Sequence, residues 1–260
     1  MLRVIDSHVH LPSYSDAANV VERSRAAGVS AIVSMGGDLK SSTRSMSLSR
    51  EYPDYVHPCI GVHPSEVLKV NPDEAYSFVE VNARRVVAVG EIGLDYSYSF
   101  AKPREVREQQ RIIYERLVSI ASDNGLPVSV HSRSAYSDSL SILRKHDSVQ
   151  AVFHWYDGPL EVLGEILDHG YYVSATPAVE YSKGHRAALQ VAPLERILVE
   201  TDSPVYLRNL GRQSEPADVL VTVRWLAELK GESVDEVMRV STLNTETLFR
   251  LDHMSQSRLE

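Results

Sequence analysis

The sequence predicts an α/β fold of the (β/α)8 TIM-barrel type, and three observations lead there. Eight short apolar runs, mostly β-branched or aromatic and bounded by Gly, Pro or Ser, alternate with longer amphipathic stretches. The chain has 260 residues, and a barrel of eight such units takes about 250. Histidines and carboxylates recur at or just after the carboxyl ends of the apolar runs, where parallel barrels carry their active sites. A doubly wound open sheet uses the same alternation. Polar residues gathered at one end of the runs favour the barrel.

The strands are expected at Leu2–Asp6, Val29–Met35, Val56–Gly61, Val86–Gly90, Pro127–His131, Gln150–His154, Tyr171–Ser174 and Ile197–Glu200. Helical periodicity fills the gaps. Ile113, Leu117, Ile120 and Ala121 form one apolar stripe that stops at Asn124-Gly125, and Leu126-Pro127 opens the next strand. Upstream, Arg104–Arg116 is laced with Glu105, Glu108 and Glu115 and reads as a solvated face with i,i+4 pairs. Leu220, Val223, Leu226 and Ala227 form a second stripe before Lys230-Gly231, and a further helix is expected from Val234 to Leu251. No linker or composition shift marks a boundary. Residues 1–251 therefore read as a single catalytic domain and 252–260 as a polar C-terminal tail.

Apolar residues make up 43% and charged residues 24%, which excludes a disordered, collagen-like or disulfide-scaffold chain. Lys and Arg number 27 against 35 Asp and Glu, a net −8, so a polybasic duplex coater is excluded. A nuclease whose positive charge comes from metal ions is not. The lone cysteine, Cys59, can form neither an internal disulfide nor a thiolate cluster, and it reads as a small buried hydrophobe. No run reaches the roughly 20 apolar residues of a membrane span, and Met1–Pro12 lacks a basic then apolar leader pattern. A cytoplasmic protein is expected.

Chemistry gathers at the strand ends. Strand 1 closes in Ile5-Asp6-Ser7-His8-Val9-His10. Strand alternation puts His8 and His10 on one face, where two imidazoles can chelate one divalent metal. Strand 4 closes in Gly90-Glu91-Ile92-Gly93-Leu94-Asp95, strand 5 in His131-Ser132-Arg133, strand 6 in Phe153-His154-Trp155 and strand 8 in Glu200-Thr201-Asp202-Ser203-Pro204. Ionisable groups gathered at an apolar barrel mouth need a metal or ligand to compensate them. Four His and two carboxylates suit Zn, Mn, Fe or Mg. The set is large enough for two divalent metal ions, which pair at roughly 3.5–4 Å. Arg133 is placed to hold a phosphate bidentately. Lys102, Arg208 and Arg212 are candidates for phosphate contacts from the loops after strands 4 and 8. Glu200, two residues before Asp202, is able to share its face. Asp95 and Tyr96 are placed either to line the cleft or to cap a turn.

These segments, with Gly61-Val62-His63-Pro64, resemble the TatD-type metal-dependent hydrolases of the amidohydrolase-like superfamily. The likeness spans nearly the whole chain in order. It rests most on Gly-Glu-Ile-Gly-Leu-Asp and Glu-Thr-Asp-Ser-Pro together. The resemblance implies a TIM barrel, two divalent metals and deoxyribonuclease activity. It implies His8, His10 and Asp202 at one metal and His131 and His154 at the other, with Glu91 bridging. It also implies Asp202 as the group that orients or deprotonates the attacking water, and His63 as a catalytic and substrate-binding residue; Arg133, Asp95 and Arg212 are expected beside it as substrate-binding residues from their own positions. The chain departs from the family after strand 6, where Phe153-His154-Trp155-Tyr156-Asp157-Gly158 stands in place of Phe-His-Cys-Phe-Ser-Gly, and at Ser214, where Asn is usual.

The leading expectation is phosphodiester hydrolysis of DNA, at single strands or ends, with little sequence preference. The second is hydrolysis of an amide, ester or lactone in a small molecule, which the Trp155-Tyr156 wall and Asp157 would suit. The third is an inactive barrel serving as a binding module, against which all six ligand positions are filled.

Overall fold

The computed structural model describes residues 3–208 and 211–251. The expected start of strand 1 at Leu2 and the expected tail at 252–260 lie outside the described residues. The elements in order are β1 (Val4–Val9), α1 (Ala17–Ala26), β2 (Val29–Ser34), α2 (Leu39–Glu51), β3 (Val56–Ile60), α3 (Pro72–Asn82), β4 (Ala88–Gly93), α4 (Arg104–Asp123), β5 (Val128–His131), α5 (Tyr136–Leu143), β6 (Ala151–Phe153), α6 (Leu160–Asp168), β7 (Tyr172–Ala175), α7 (Lys183–Val191) and β8 (Ile197–Val199). A two-stranded hairpin, β9 (Tyr206–Leu207) and β10 (Arg212–Gln213), precedes α8 (Val219–Lys230) and α9 (Val234–Phe249).

The eight long-sheet strands are parallel and adjacent in chain order. A bridge between Val9 and Ser203 and the hydrogen bond from His10 N–H to the Ser203 carbonyl at 2.8 Å join β1 to the segment after β8. The chain is a TIM barrel. One apolar cluster, including Ile5, Val33, Cys59, Ala88, Val152, Tyr172 and Leu198, draws on seven of the eight barrel strands and takes in Leu248 and Phe249 of α9. Only a barrel interior collects from so many strands, so α9 plugs its lower end. Cys59 is buried there, and burial pushes its thiol pKa up. The larger cluster lies between strands and helices. The stripe Ile113, Leu117, Ile120 and Ala121 of α4 is buried in it, at about 1.5–3 kcal/mol for each large side chain.

Local chemistry sets the helix ends. Asp38 and Ser41 form a capping box on α2, and Asn71 caps α3 ahead of Pro72. Gly231 ends α8 in the left-handed conformation. The last helix stops at Phe249 rather than Leu251, with Arg250 left-handed. Two strands run past their apolar runs. β1 extends to Val9, and β4 extends to Gly93. Val9 pairs with Ser34 and Gly93 with His131, so backbone pairing continues where side-chain hydropathy has changed. His8 and Glu91 consequently sit within strands.

Candidate metal centre

Glu91 is the hub. Its Oε2 lies 3.6 Å from His8 Nε2 and 3.3 Å from His10 Nε2. Its Oε1 lies 2.7 Å from His131 Nδ1, 2.8 Å from His154 Nε2 and 3.7 Å from His63 Nε2. Asp202 Oδ1 closes the first group, 3.6 Å from His8 Nε2 and 3.3 Å from His10 Nε2. One carboxylate thus divides five imidazoles between its two oxygens.

The glycines of the strand-4 motif explain how Glu91 reaches this place. A Cβ on Gly90 would sit 2.7 Å from Ser129 Cβ, and one on Gly93, whose φ is +142°, would sit 2.0 Å from the His131 carbonyl oxygen. Both glycines let β4 close against β5. Leu94 N–H then bonds that same carbonyl at 2.9 Å. The Gly90–Glu91 and Ser203–Pro204 peptides are cis.

Asp202 is positioned from β1. Asp6 is fully buried and accepts hydrogen bonds from Thr201 N–H at 3.0 Å and Thr201 Oγ1 at 2.6 Å. Asp202 itself has φ +52° and donates its N–H to the His8 carbonyl at 3.1 Å. Trp155, next to His154, has φ +42°. Non-glycine residues held at positive φ cluster where function over-determines the backbone. Burial pushes the Asp6 pKa well up, against the hydrogen bond from Thr201.

Burial works against charge throughout the cluster, and opposite partners decide the outcome. At Glu91 burial is outweighed by His63, His154, His10 and His131, which hold its carboxyl well below the usual range. At His10 it is outweighed by Asp202 and Glu91, which push the imidazole up to about 10. His131 and His154 are raised against the same penalty, by Asp95 and Glu91 and by Glu91 and Glu200 respectively. His63 goes the other way. Burial, with cationic His131 and His10 nearby, outweighs Glu91 and lowers it to about 3.

Three sets of donor atoms converge within 4.8 Å: His8, His10 and Glu91; His8, His154 and Asp202; and His63, Glu91 and His131. Nitrogen and carboxylate oxygen donors without thiolate fit divalent cations of the Zn, Mn, Fe and Mg kind. All six residues expected as ligands are therefore brought together.

The other expected site residues divide. His63 is in the cluster, its Nδ1 accepting from Ser65 N–H at 3.1 Å. Arg133 stands at the mouth, in a cleft lined by His131, Ser132, Tyr136, His154, Trp155 and Asp157. Its guanidinium lies 4.8 Å from the Tyr98 ring centroid and 6.0 Å from that of Trp155, and it donates to Tyr98 Oη. Asp95 does not line the cleft. It is fully buried, with Oδ2 2.9 Å from His131 Nε2 and Oδ1 accepting from Ser97 and Tyr98 N–H at 2.8 and 3.0 Å. Arg212 is also drawn away, held bidentately by Asp218 at 2.8 Å through both nitrogens. Lys102 and Arg208 are exposed. His185 is buried and ties Thr176 N–H to the Tyr156 carbonyl. Glu200 is fully buried against His8 and His154. Its i,i+2 spacing to Asp202 was the signal for it.

Residues 5–250 match the family described as TatD related DNase. The chain belongs to the TatD family. It is 33% identical to the human protein named deoxyribonuclease TATDN3, covering 97% of each chain. It is 32% identical to YcfH of Escherichia coli K12, named a metal-dependent hydrolase, over 99% of this chain and 98% of that one. The crystal structure of YjjV, a TatD homologue from Escherichia coli K12, superposes with a TM-score of 0.87 at 26% identity, covering 96% of this chain and 98% of that one. As a TatD-family member the chain is a metal-dependent hydrolase, and its His/Glu/Asp cluster could bind the metals. No described helix is long and apolar enough to cross a membrane.

Proposed function

We propose that this chain hydrolyses phosphodiester bonds in DNA at a centre of two divalent cations, one held by His8, His10 and Asp202 and the other by His131 and His154, with Glu91 shared. The single observation that carries this reading is the division of Glu91, with Oε2 toward His8 and His10 and Oε1 toward His131 and His154. Relatives named deoxyribonuclease support DNA as the substrate. Residues 1–251 form the catalytic domain in this reading, and the single Cys59 favours a cytoplasmic setting.

When bound, divalent cations supply Lewis acidity toward phosphoryl oxygens and make water nucleophilic near neutral pH. The chain's residues do the rest. Asp202, 3.3 Å from His10 Nε2, holds a carboxylate at the mouth able to accept the proton of an attacking water. The neutral His63 ring, held at Nδ1 by Ser65, presents Nε2 to a substrate oxygen. Arg133, steadied by the rings of Tyr98 and Trp155, holds a non-bridging phosphate oxygen next to His131 and His154. Arg212 is omitted because Asp218 occupies its guanidinium. Few bases are contacted by such a set, so single strands or ends are cut with little sequence preference.

The test is a gel assay on labelled single- and double-stranded DNA with Mn, Zn or Mg, run beside a panel of lactones and amides, with elemental analysis of the purified protein. Metal-dependent DNA cleavage that disappears in a His8→Ala/His10→Ala variant is expected. Turnover confined to the small-molecule panel, or retained by that variant, overturns the reading.

A further inference from the structure

Glu200, immediately after β8, has a fully buried side chain. Its Oε1 accepts hydrogen bonds from Trp155 N–H at 2.9 Å and Ser174 Oγ at 2.6 Å. Its Oε2 has no hydrogen-bond partner, and neither has His154 Nδ1. The same carboxylate stands 3.6 Å from His8 Nδ1 through Oε2 and 3.7 Å from His154 Nδ1 through Oε1. The His8 and His154 rings are stacked, with centroids 4.1 Å apart and an interplanar angle of 18°. Their Nε2 atoms point the other way, toward Glu91 and Asp202. Two rings from opposite parts of the barrel, β1 and the end of β6, thus present the same edge to one carboxylate.

Buried polar atoms without partners are few in native proteins, and each asks for a role. A buried carboxylate oxygen lacking a donor, beside a buried ring nitrogen lacking a partner, is such a case. The other neighbour of His8 Nδ1 is Ser129 Oγ at 3.3 Å. A hydroxyl accepts as well as donates, so it is compatible with a proton on Nδ1. A neutral imidazole has one donor and one acceptor nitrogen, and a carboxylate against one edge places the proton there.

We propose that Glu200 is the shared positioning carboxylate of the centre: it keeps the proton on Nδ1 of both His8 and His154, so that both rings offer Nε2 to metal. This rests on the assignment of His8 and His154 to the two halves of the centre. Asp95 acts on His131 in the opposite sense, at Nε2, leaving Nδ1 toward Glu91. A carboxylate behind a ligating histidine fixes ring orientation and raises ligand basicity. Here one carboxylate serves both halves, and through Trp155 N–H it also anchors the loop that carries His154 into the mouth.

Two measurements test this without any DNA. Nitrogen-15 histidine NMR of the zinc-loaded wild-type protein is expected to show Nδ1–H tautomers at His8 and His154 and an Nε2–H tautomer at His131. An Nε2–H tautomer at either His8 or His154 overturns the proposal, and this reading holds whether or not any variant folds. Titration of Glu200→Gln with zinc is expected to show both binding steps weakened by about 10–100-fold, with Glu200→Asp recovering part of the loss. Weakening of only one step, or of neither, overturns it. A chain that binds two zinc ions with these tautomers yet cuts no DNA keeps this inference and loses the phosphodiesterase reading. A chain that takes up no zinc loses both.

Discussion

Asp95 Oδ2 lies 2.9 Å from His131 Nε2, while the opposite nitrogen of that ring faces Glu91 Oε1 at 2.7 Å. The carboxylate is buried behind the ring and its second oxygen caps the turn through Ser97 and Tyr98 N–H. It therefore sets which nitrogen of His131 is turned toward Glu91. Asp95→Asn keeps the acceptor for the turn and removes the charge. A fall of about 10–100-fold in metal affinity is expected, with an unchanged circular dichroism spectrum. Isothermal titration calorimetry checks it, and unaltered affinity rejects it.

Metal uptake is expected to release protons. His10 is pushed up to about 10, so in the metal-free protein its ring is protonated at pH 7, and Asp95 with Glu91 and Glu91 with Glu200 raise His131 and His154 in the same direction. A histidine must be neutral to ligate. Each raised pKa therefore opposes binding below it, and apparent affinity rises with pH from 6 toward 9. Calorimetry in two buffers of different ionisation enthalpy measures the number released. A pH-independent affinity would contradict the sign.

Gly93 is predicted to be intolerant of any side chain. Its φ of +142° is costly for an L-residue, and a Cβ there would stand 2.0 Å from backbone. Gly93→Ala is expected to destabilise by about 2–3 kcal/mol or more and to weaken metal binding by shifting Glu91. Gly231→Ala is the comparison, since φ is +68° there but no atom lies within 4 Å. Its expected cost is about 1 kcal/mol, from the left-handed backbone alone. Urea denaturation separates the two.

Arg133 and Arg212 are expected to behave differently although both are arginines near the barrel mouth. Removing a charge-assisted phosphate contact costs about 1.5–3 kcal/mol, so Arg133→Ala should raise KM for DNA roughly ten- to hundredfold. Arg212 pairs with Asp218 and is largely exposed, where such pairs contribute about 0–1 kcal/mol. Arg212→Ala should leave KM unchanged. Steady-state kinetics on a single-stranded oligonucleotide decides between them.

The order of strands and helices was legible because period-2 and period-3.6 hydropathy report which faces are buried. The convergence of His8, His10, Glu91, His131, His154 and Asp202 was legible because every one lies at or just after the carboxyl end of an apolar run, on the same side of the barrel. Strand length was less so. β1 and β4 continue through Val9 and Gly93 on backbone hydrogen bonds, which leave no mark in side-chain hydropathy.

What the amino-acid sequence determined by itself is the barrel, the candidate ligand set and the family, since these depend on residue type and spacing along the chain. Only the tertiary structure decided the roles of the groups around that set. Asp95 faces His131 and not the cleft, Arg212 belongs to Asp218, and Glu200 stands behind His8 and His154. Each of these is a pairing across the chain, between side chains of ordinary type. Which partner a charged group takes is set by distance and burial in the folded barrel, and spacing along the chain carries neither.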